Sequence, residues 1–241
     1  MPPAGNSPSF RYSINRCLII FPLFCALLIG CSKGYQKENG KWVWVSWDEA
    51  VGRRVQAVQG ADTPSFRRLS DSEYAADRNA VYHRNVKITN AEPASFRRIS
   101  QFYWRDAKRV FLVDAEIPGA DPKTFKPFSK YPWARDKSDV YTGTIALHVR
   151  DISTFTLLQG VWAKDSRAYY AGGTLPAYTT VPCDYPSFVI LSGSYAKDKT
   201  RGYWQGIPVD GSDGPSFELK GEYFAKDKYR EYTGTRERKK Q

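Results

Sequence analysis

The chain has 241 residues, 41% of them apolar and 25% charged, with 18 glycines and 15 prolines. These proportions exclude a disordered tail, a collagen-like chain and a polytopic membrane protein. Aromatics reach 15%, enough for a sizeable core, while two histidines and four cysteines leave few catalytic chemistries open and the formal charge of +11 favours anionic partners.

The first element is a targeting segment. Residues 1–16 carry Arg11 and Arg16 and no acid, and residues 17–30 form an apolar run. That run is shorter than the roughly 20 residues a membrane-spanning helix needs, and it has the length of a signal-peptide core. It closes on Leu28-Ile29-Gly30-Cys31, followed by Ser32. This resembles the bacterial lipobox, in which the thiol of the cysteine takes a diacylglycerol and cleavage follows on its N-side. The reading is a lipoprotein signal peptide over 1–30, lipidation at Cys31 and a tether over 31–40. Ser32 points to export to the outer membrane, facing the periplasm. Only Cys183 keeps a free thiol after processing, so packing rather than a disulfide must hold the fold.

From residue 74 the chain repeats itself. The segments YAADRNAVY, YWRDAKRVF, WARDKSDVY, WAKDSRAYY, YAKDKTRGY and FAKDKYREY centre on Asp77, Asp106, Asp136, Asp165, Asp198 and Asp227, spaced 29 or 30 residues apart with one interval of 33. An aromatic stands three residues before each aspartate and another five residues after it. The early set is Tyr74, Tyr103, Trp133, Trp162, Tyr195 and Phe224, and the late set is Tyr82, Phe111, Tyr141, Tyr170, Tyr203 and Tyr232. Between these segments lies a second signature: an acid, two residues, a hydroxyl residue, then phenylalanine. It starts at Asp62, Glu92, Asp121, Asp151, Asp184 and Asp213 and ends at Phe66, Phe96, Phe125, Phe155, Phe188 and Phe217.

The aromatics around a polar turn predict a β-hairpin with its aspartate bonded to the turn backbone and its two rings facing one another across the strands. The alanine two residues before most of the aspartates predicts a close neighbour on the opposite face. The second signature predicts one helical turn with the acid at its N-cap, the hydroxyl at N3 and a buried phenylalanine at N4. Residues 48–59 match a short helix by spacing, but their register with the later units favours strand. One unit cannot bury both rows of rings, so units must stack. The expected fold is all-β: tandem hairpin repeats in an open, curved or solenoid-like array, with a closed propeller as the alternative. Residues 41–71 form a degenerate first repeat in which Trp44 holds the early aromatic place and Trp47 replaces the aspartate. The array runs over 72–235, its last unit lacks the second signature, and 236–241 is a basic tail.

Ala163-Lys164-Asp165, Ala196-Lys197-Asp198-Lys199 and Ala225-Lys226-Asp227-Lys228, with their following tyrosines and the GADP–TF connector of residues 119–125, resemble the DKNYY repeat family. The family pattern runs close to YAKDKNxVYY followed by GADPxTF. No copy here has the full DKNYY string: Asn79 is the sole asparagine at its place, and Asp106 is followed by Ala107. Members are bacterial, often exported or lipid-anchored, and of unknown biochemical function, so the resemblance speaks to fold and compartment.

A group that recurs in every unit serves geometry, whereas a catalytic group need occur once; the aspartates and phenylalanines are therefore structural. There is no G-x-S-x-G elbow, Ser192-Gly193-Ser194 being the nearest fragment. His83 and His148 lie on different units with no partner at triad or ligand spacing, and the 210–214 cluster lacks the acids of an EF-hand. No cofactor, metal or nucleic-acid partner is expected, and the protein is not expected to be an enzyme. The unit after Asp165 carries four extra residues within 171–183, making Gly172, Gly173, Tyr178 and Cys183 a candidate binding loop. Arg53-Arg54, Arg67-Arg68, Arg97-Arg98 and the tail supply basic charge suited to anionic envelope polymers. The expected function is a lipid-anchored envelope scaffold or binding module, with an immunity or inhibitor-type lipoprotein that blocks a toxin or enzyme as the alternative.

Overall fold

A computed structural model describes residues 33–172, 180–221 and 223–238. Within them the chain forms small antiparallel sheets in tandem, each a meander of consecutive strands. The first sheet has the longest strands, β1 (Gly34–Glu38), β2 (Lys41–Asp48) and β3 (Gly52–Ala57). The second is the pattern for the rest: β4 (Arg67–Arg68), β5 (Tyr74–Ala76), β6 (Val81–His83) and β7 (Val86–Lys87), paired in chain order. Equivalent sheets follow around Asp106, Asp136, Asp165, Asp198 and Asp227, and the one around Asp165 has three strands instead of four. Of residues 48–59, expected as helix or strand, Asp48 ends β2, Gly52–Ala57 form β3 and the residues between them make the turn.

Two boundaries move. The tether expected over 31–40 contains β1, whose Tyr35 is 2% exposed and packs on Trp44 at 5.0 Å. The basic tail expected from 236 begins inside the last sheet, where Arg236–Glu237 pair with Thr233 and Tyr232. In the first sheet the turn aspartate is displaced, not lost: Asp48 accepts the N–H groups of Ala50 and Val51 at 3.0 and 3.2 Å.

The register also corrects the expected ring pairing. Tyr82 lies opposite Ala75, and Tyr74 lies opposite His83. Side chains alternate along a strand, so the early and late aromatics sit on opposite faces of their sheet, not side by side. This is what makes stacking continuous. Tyr103, Val110 and Ile117 of the third sheet share one interior with Ala134 and Tyr141 of the fourth, and Phe125 of the connector fills the space between them. Its ring centroid lies 5.3 Å from Tyr103 and 5.7 Å from Tyr141. The alanine opposite each late tyrosine leaves room for the aromatic of the preceding sheet. Trp104 fills that place in the third sheet and packs on Tyr74 at 4.1 Å.

Each interior repeats this plan, and each joins only consecutive sheets. No cluster among the described residues connects the first sheet to the last, so the array is open. Phe96, Phe125, Phe188 and Phe217 are buried, while Phe66 and Phe155 are half-buried against the same clusters. The sequence reading missed one member of the plan. A buried aliphatic, such as Val58, Ile88, Ile117, Leu147 or Val209, stands four residues before the connector acid. Gly202 takes the place held by Val81, Val110 and Val140, and a Cβ there would fall 2.4 Å from the Phe217 ring. The ring occupies the missing side chain's volume, and Phe217 is fully buried. The Ser192-Gly193-Ser194 fragment is a contact between sheets, where the Val161 N–H donates to the Gly193 carbonyl at 2.9 Å.

Because Phe125 spans two sheets, its truncation leaves a cavity that neither can close alone. Phe125→Ala is expected to cost about 3–5 kcal/mol in urea unfolding. An unchanged midpoint would contradict the shared interior.

Candidate functional site

The hairpin loops and connector turns line one edge of the array, and the repeated aspartates knit them together. Asp165 Oδ1 accepts the N–H groups of Arg167 and Ala168, both at 2.7 Å, closing the hairpin loop. Its Oδ2 accepts the Asp151 N–H at 2.8 Å and the Tyr170 hydroxyl at 2.7 Å. One carboxylate thus holds the loop, the connector and the late tyrosine. Asp77, Asp136, Asp198 and Asp227 make the same set. At Asp106 the late ring is Phe111, which brings no hydroxyl, and Arg109 Nη1 stands 4.0 Å from the carboxylate instead.

The connector acid closes a second loop of bonds. Thr124 Oγ1 donates to Asp121 Oδ2 at 2.9 Å and accepts the Lys137 N–H at 3.2 Å. The cation after the hairpin aspartate then pairs with that acid, as in Arg78–Asp62 at 2.8 Å, Lys137–Asp121 at 3.3 Å and Lys199–Asp184 at 2.9 Å. The connectors are single tight turns; Ile152–Thr154 and Tyr185–Ser187 are 3₁₀.

Burial alone would raise the carboxyls of Asp77, Asp165, Asp198 and Asp227, but the converging N–H and hydroxyl donors outweigh it and hold all four below the usual carboxylate value. A carboxyl with a depressed folded pKa stabilises fully above its unfolded value, near 3.9, and that contribution disappears as pH falls through the folded value. The melting temperature is expected to be level down to about pH 5 and to fall steeply below about pH 4. Asp198→Asn should be less stable at neutral pH and show a shallower acid limb. A wild-type melting temperature that holds to about pH 2 would contradict this assignment.

Cations with no ion-pair acid among the described residues run along the same edge. The residue after each phenylalanine lies directly opposite the residue before each aspartate. Arg97 thereby faces Arg105, Lys126 faces Arg135, Thr156 faces Lys164 and Val189 faces Lys197. Like charges directly opposed on a sheet are destabilising. Arg105 and Lys197 reach the carbonyls of Pro122 and Pro215 in the next connector, and Arg135 lies over the Phe128 ring. Such carbonyl and ring contacts orient the cations without cancelling their charge. The row ends in a neutral pair, Lys226 with Glu218 at 2.9 Å. The doublets split between faces: Arg98 lies 3.5 Å from Asp71, and Arg68 donates to the Tyr35 carbonyl at 2.6 Å. The sequence supplied these charges, but only the pairing register reveals which of them are opposed.

The expected binding loop is partly in view. Gly173 and Tyr178 lie outside the described residues, as do residues 1–32 with Cys31. Gly172 is held by packing: a Cβ would fall 2.3 Å from the Trp133 ring. Cys183 is half-buried and lines a cavity with Arg150 and Arg167, and burial pushes its thiol up to about 12, away from the reactive thiolate. His148 is an exposed residue paired with Asp139 at 3.1 Å. His83, which has no partner at triad or ligand spacing in the sequence, has a carboxylate at each ring nitrogen, Glu73 at 3.4 Å and Asp114 at 3.3 Å.

The molecule is thus an open β-sheet repeat array whose loop edge carries a ladder of opposed cations with no ion-pair partner among the described residues. The DKNYY family model matches residues 44–104 and 103–236, and the chain belongs to the DKNYY family. No curated protein and no solved structure matches it.

Proposed function

We propose that the protein is a lipid-anchored component of the bacterial cell envelope, acting as a non-catalytic scaffold or binding module that holds anionic envelope polymers along its loop edge. The observation that carries the binding reading is the pair of cationic rungs, Arg97 opposite Arg105 and Lys126 opposite Arg135, held at a cost in sheet stability with no acid in ion-pair reach among the described residues. Stacked sheets pack about 10 Å apart, so successive rungs track a linear polymer carrying regularly spaced phosphate or carboxylate groups. The anchoring reading is supported by the basic flank, apolar run and Leu28-Ile29-Gly30-Cys31 ending. Two or more acyl chains on Cys31 hold a protein stably at a membrane, whereas one chain alone binds marginally. The proposed location is the outer membrane, facing the periplasm.

Labelled palmitate is expected to enter the wild type and not Cys31→Ala; label persisting in that variant would overturn anchoring at this residue. Binding to isolated peptidoglycan, whose peptide carboxylates face the periplasm, is expected to weaken steeply with salt, as screening shortens the reach of exposed charges. An Arg97→Glu/Lys126→Glu variant should weaken it by about tenfold or more, or about 1.4 kcal/mol. Salt-independent binding, or an unchanged affinity in the double variant, would overturn the ladder.

A further inference from the structure

On the edge opposite the hairpin loops, a cavity of about 450 Å³ opens between the first and second sheets. Its volume is that of a small-ligand site. It exists because the first sheet is broader than the others: β2 is eight residues long and carries Trp47 beyond the width of the three-residue strand β5. Trp47 is 46% exposed, although indole is among the side chains most costly to leave in water. Gln56 lines the same wall, with Glu73 and Asn85 facing from the second sheet and Asp114 from the third.

The charges of the site are balanced. Lys33 and Arg84 supply two cations, Glu73 and Asp114 two anions, and Arg84 forks onto Glu73 at 3.0 to 3.2 Å. His83 sits between the two carboxylates and stacks on Tyr74 at 4.7 Å, which fixes the ring and orients both acids at the mouth. A polyanion gains nothing from such a site, unlike the loop edge, and a purely apolar ligand would strip water from the polar side chains that line it. The remaining fit is to a neutral molecule with one flat apolar face and a rim of hydroxyls.

We infer that this cavity binds a pyranose ring, stacked by its C–H face on Trp47 and held through its hydroxyls by Glu73, Asp114, Asn85 and Gln56. Hydroxyl donors to a carboxylate make the stronger, charge-assisted class of hydrogen bond, and the two amides both donate and accept, as a sugar does. The ring is a free sugar or one unit of a glycan chain. The inference does not rest on the cationic ladder or on lipidation, and it survives the failure of either.

The test titrates the full-length protein with maltotriose, cellotriose and triacetylchitotriose, each beside its monosaccharide, following tryptophan fluorescence and calorimetric heat. At least one trisaccharide is expected to bind with Kd at or below about 1 mM. Trp47→Ala should weaken that binding by about tenfold or more, and Tyr131→Ala, an exposed aromatic outside the cavity, should leave it unchanged. Equal affinity for monosaccharide and trisaccharide assigns a free sugar; a gain with length assigns a glycan. Asn85→Ala gives a second reading that leaves the stacking wall intact, and it too should weaken binding. No binding by any sugar, binding unaffected by Trp47→Ala in a protein of unchanged melting temperature, or inorganic polyphosphate competing at this site would overturn the inference.

Discussion

A buried carboxylate that receives four donors from three directions is the constraint on which the array depends. An aspartate placed in a sheet interior without partners would be expelled or protonated. Here Asp136 meets the N–H groups of Ser138 and Asp139, the N–H of Asp121 and the hydroxyl of Tyr141, all within 2.8 Å. Because the donors belong to loop, connector and strand, satisfying the charge sets the position of all three. The phenylalanine that follows the connector is then delivered to the interior, and the sheets can be as short as two or three residues per strand without losing register.

The same logic explains why the two rows of rings differ in composition. A late tyrosine needs its hydroxyl to complete the carboxylate. An early ring instead reaches across to the next sheet with its polar tip: the Tyr103 hydroxyl donates to the Pro132 carbonyl at 2.7 Å, and the Trp162 indole N–H donates to Ser192 at 3.0 Å. Phe224 of the last described sheet has no polar tip, and it lies under Arg238 at 4.4 Å. Aromatic identity in this chain therefore records position in the stack as well as burial.

Much of this was legible in the sequence. The period, the two signatures, the turn role of Asp77 and its equivalents, and the burial of Phe125 all follow from residue spacing. What spacing could not supply was the parity of the hairpin. A loop one residue longer puts Tyr74 and Tyr82 on opposite faces, and that shift turns a paired seam into shared interiors. It also puts Arg97 against Arg105, which linear sequence shows only as two basic residues eight apart. His83 looked isolated because its carboxylates, Glu73 and Asp114, come from a turn on its own sheet and a turn on the next. The displaced aspartate of the first sheet, Asp48, was hidden by the longer strands around it.

Repeat arrays in which each layer touches only its neighbours respond locally to damage. Native-state hydrogen exchange on Asp165→Asn reads this directly, since the amide nitrogen replacing an oxygen cannot accept from both the Asp151 N–H and the Tyr170 hydroxyl. The amide protons of Asp151, Arg167 and Ala168 should lose protection by about tenfold or more, equivalent to about 1.4 kcal/mol, while those of Asn79 and Ala80 in the second sheet keep theirs. Uniform loss across every sheet, or no loss around residue 165, would contradict an array built from carboxylate-centred layers.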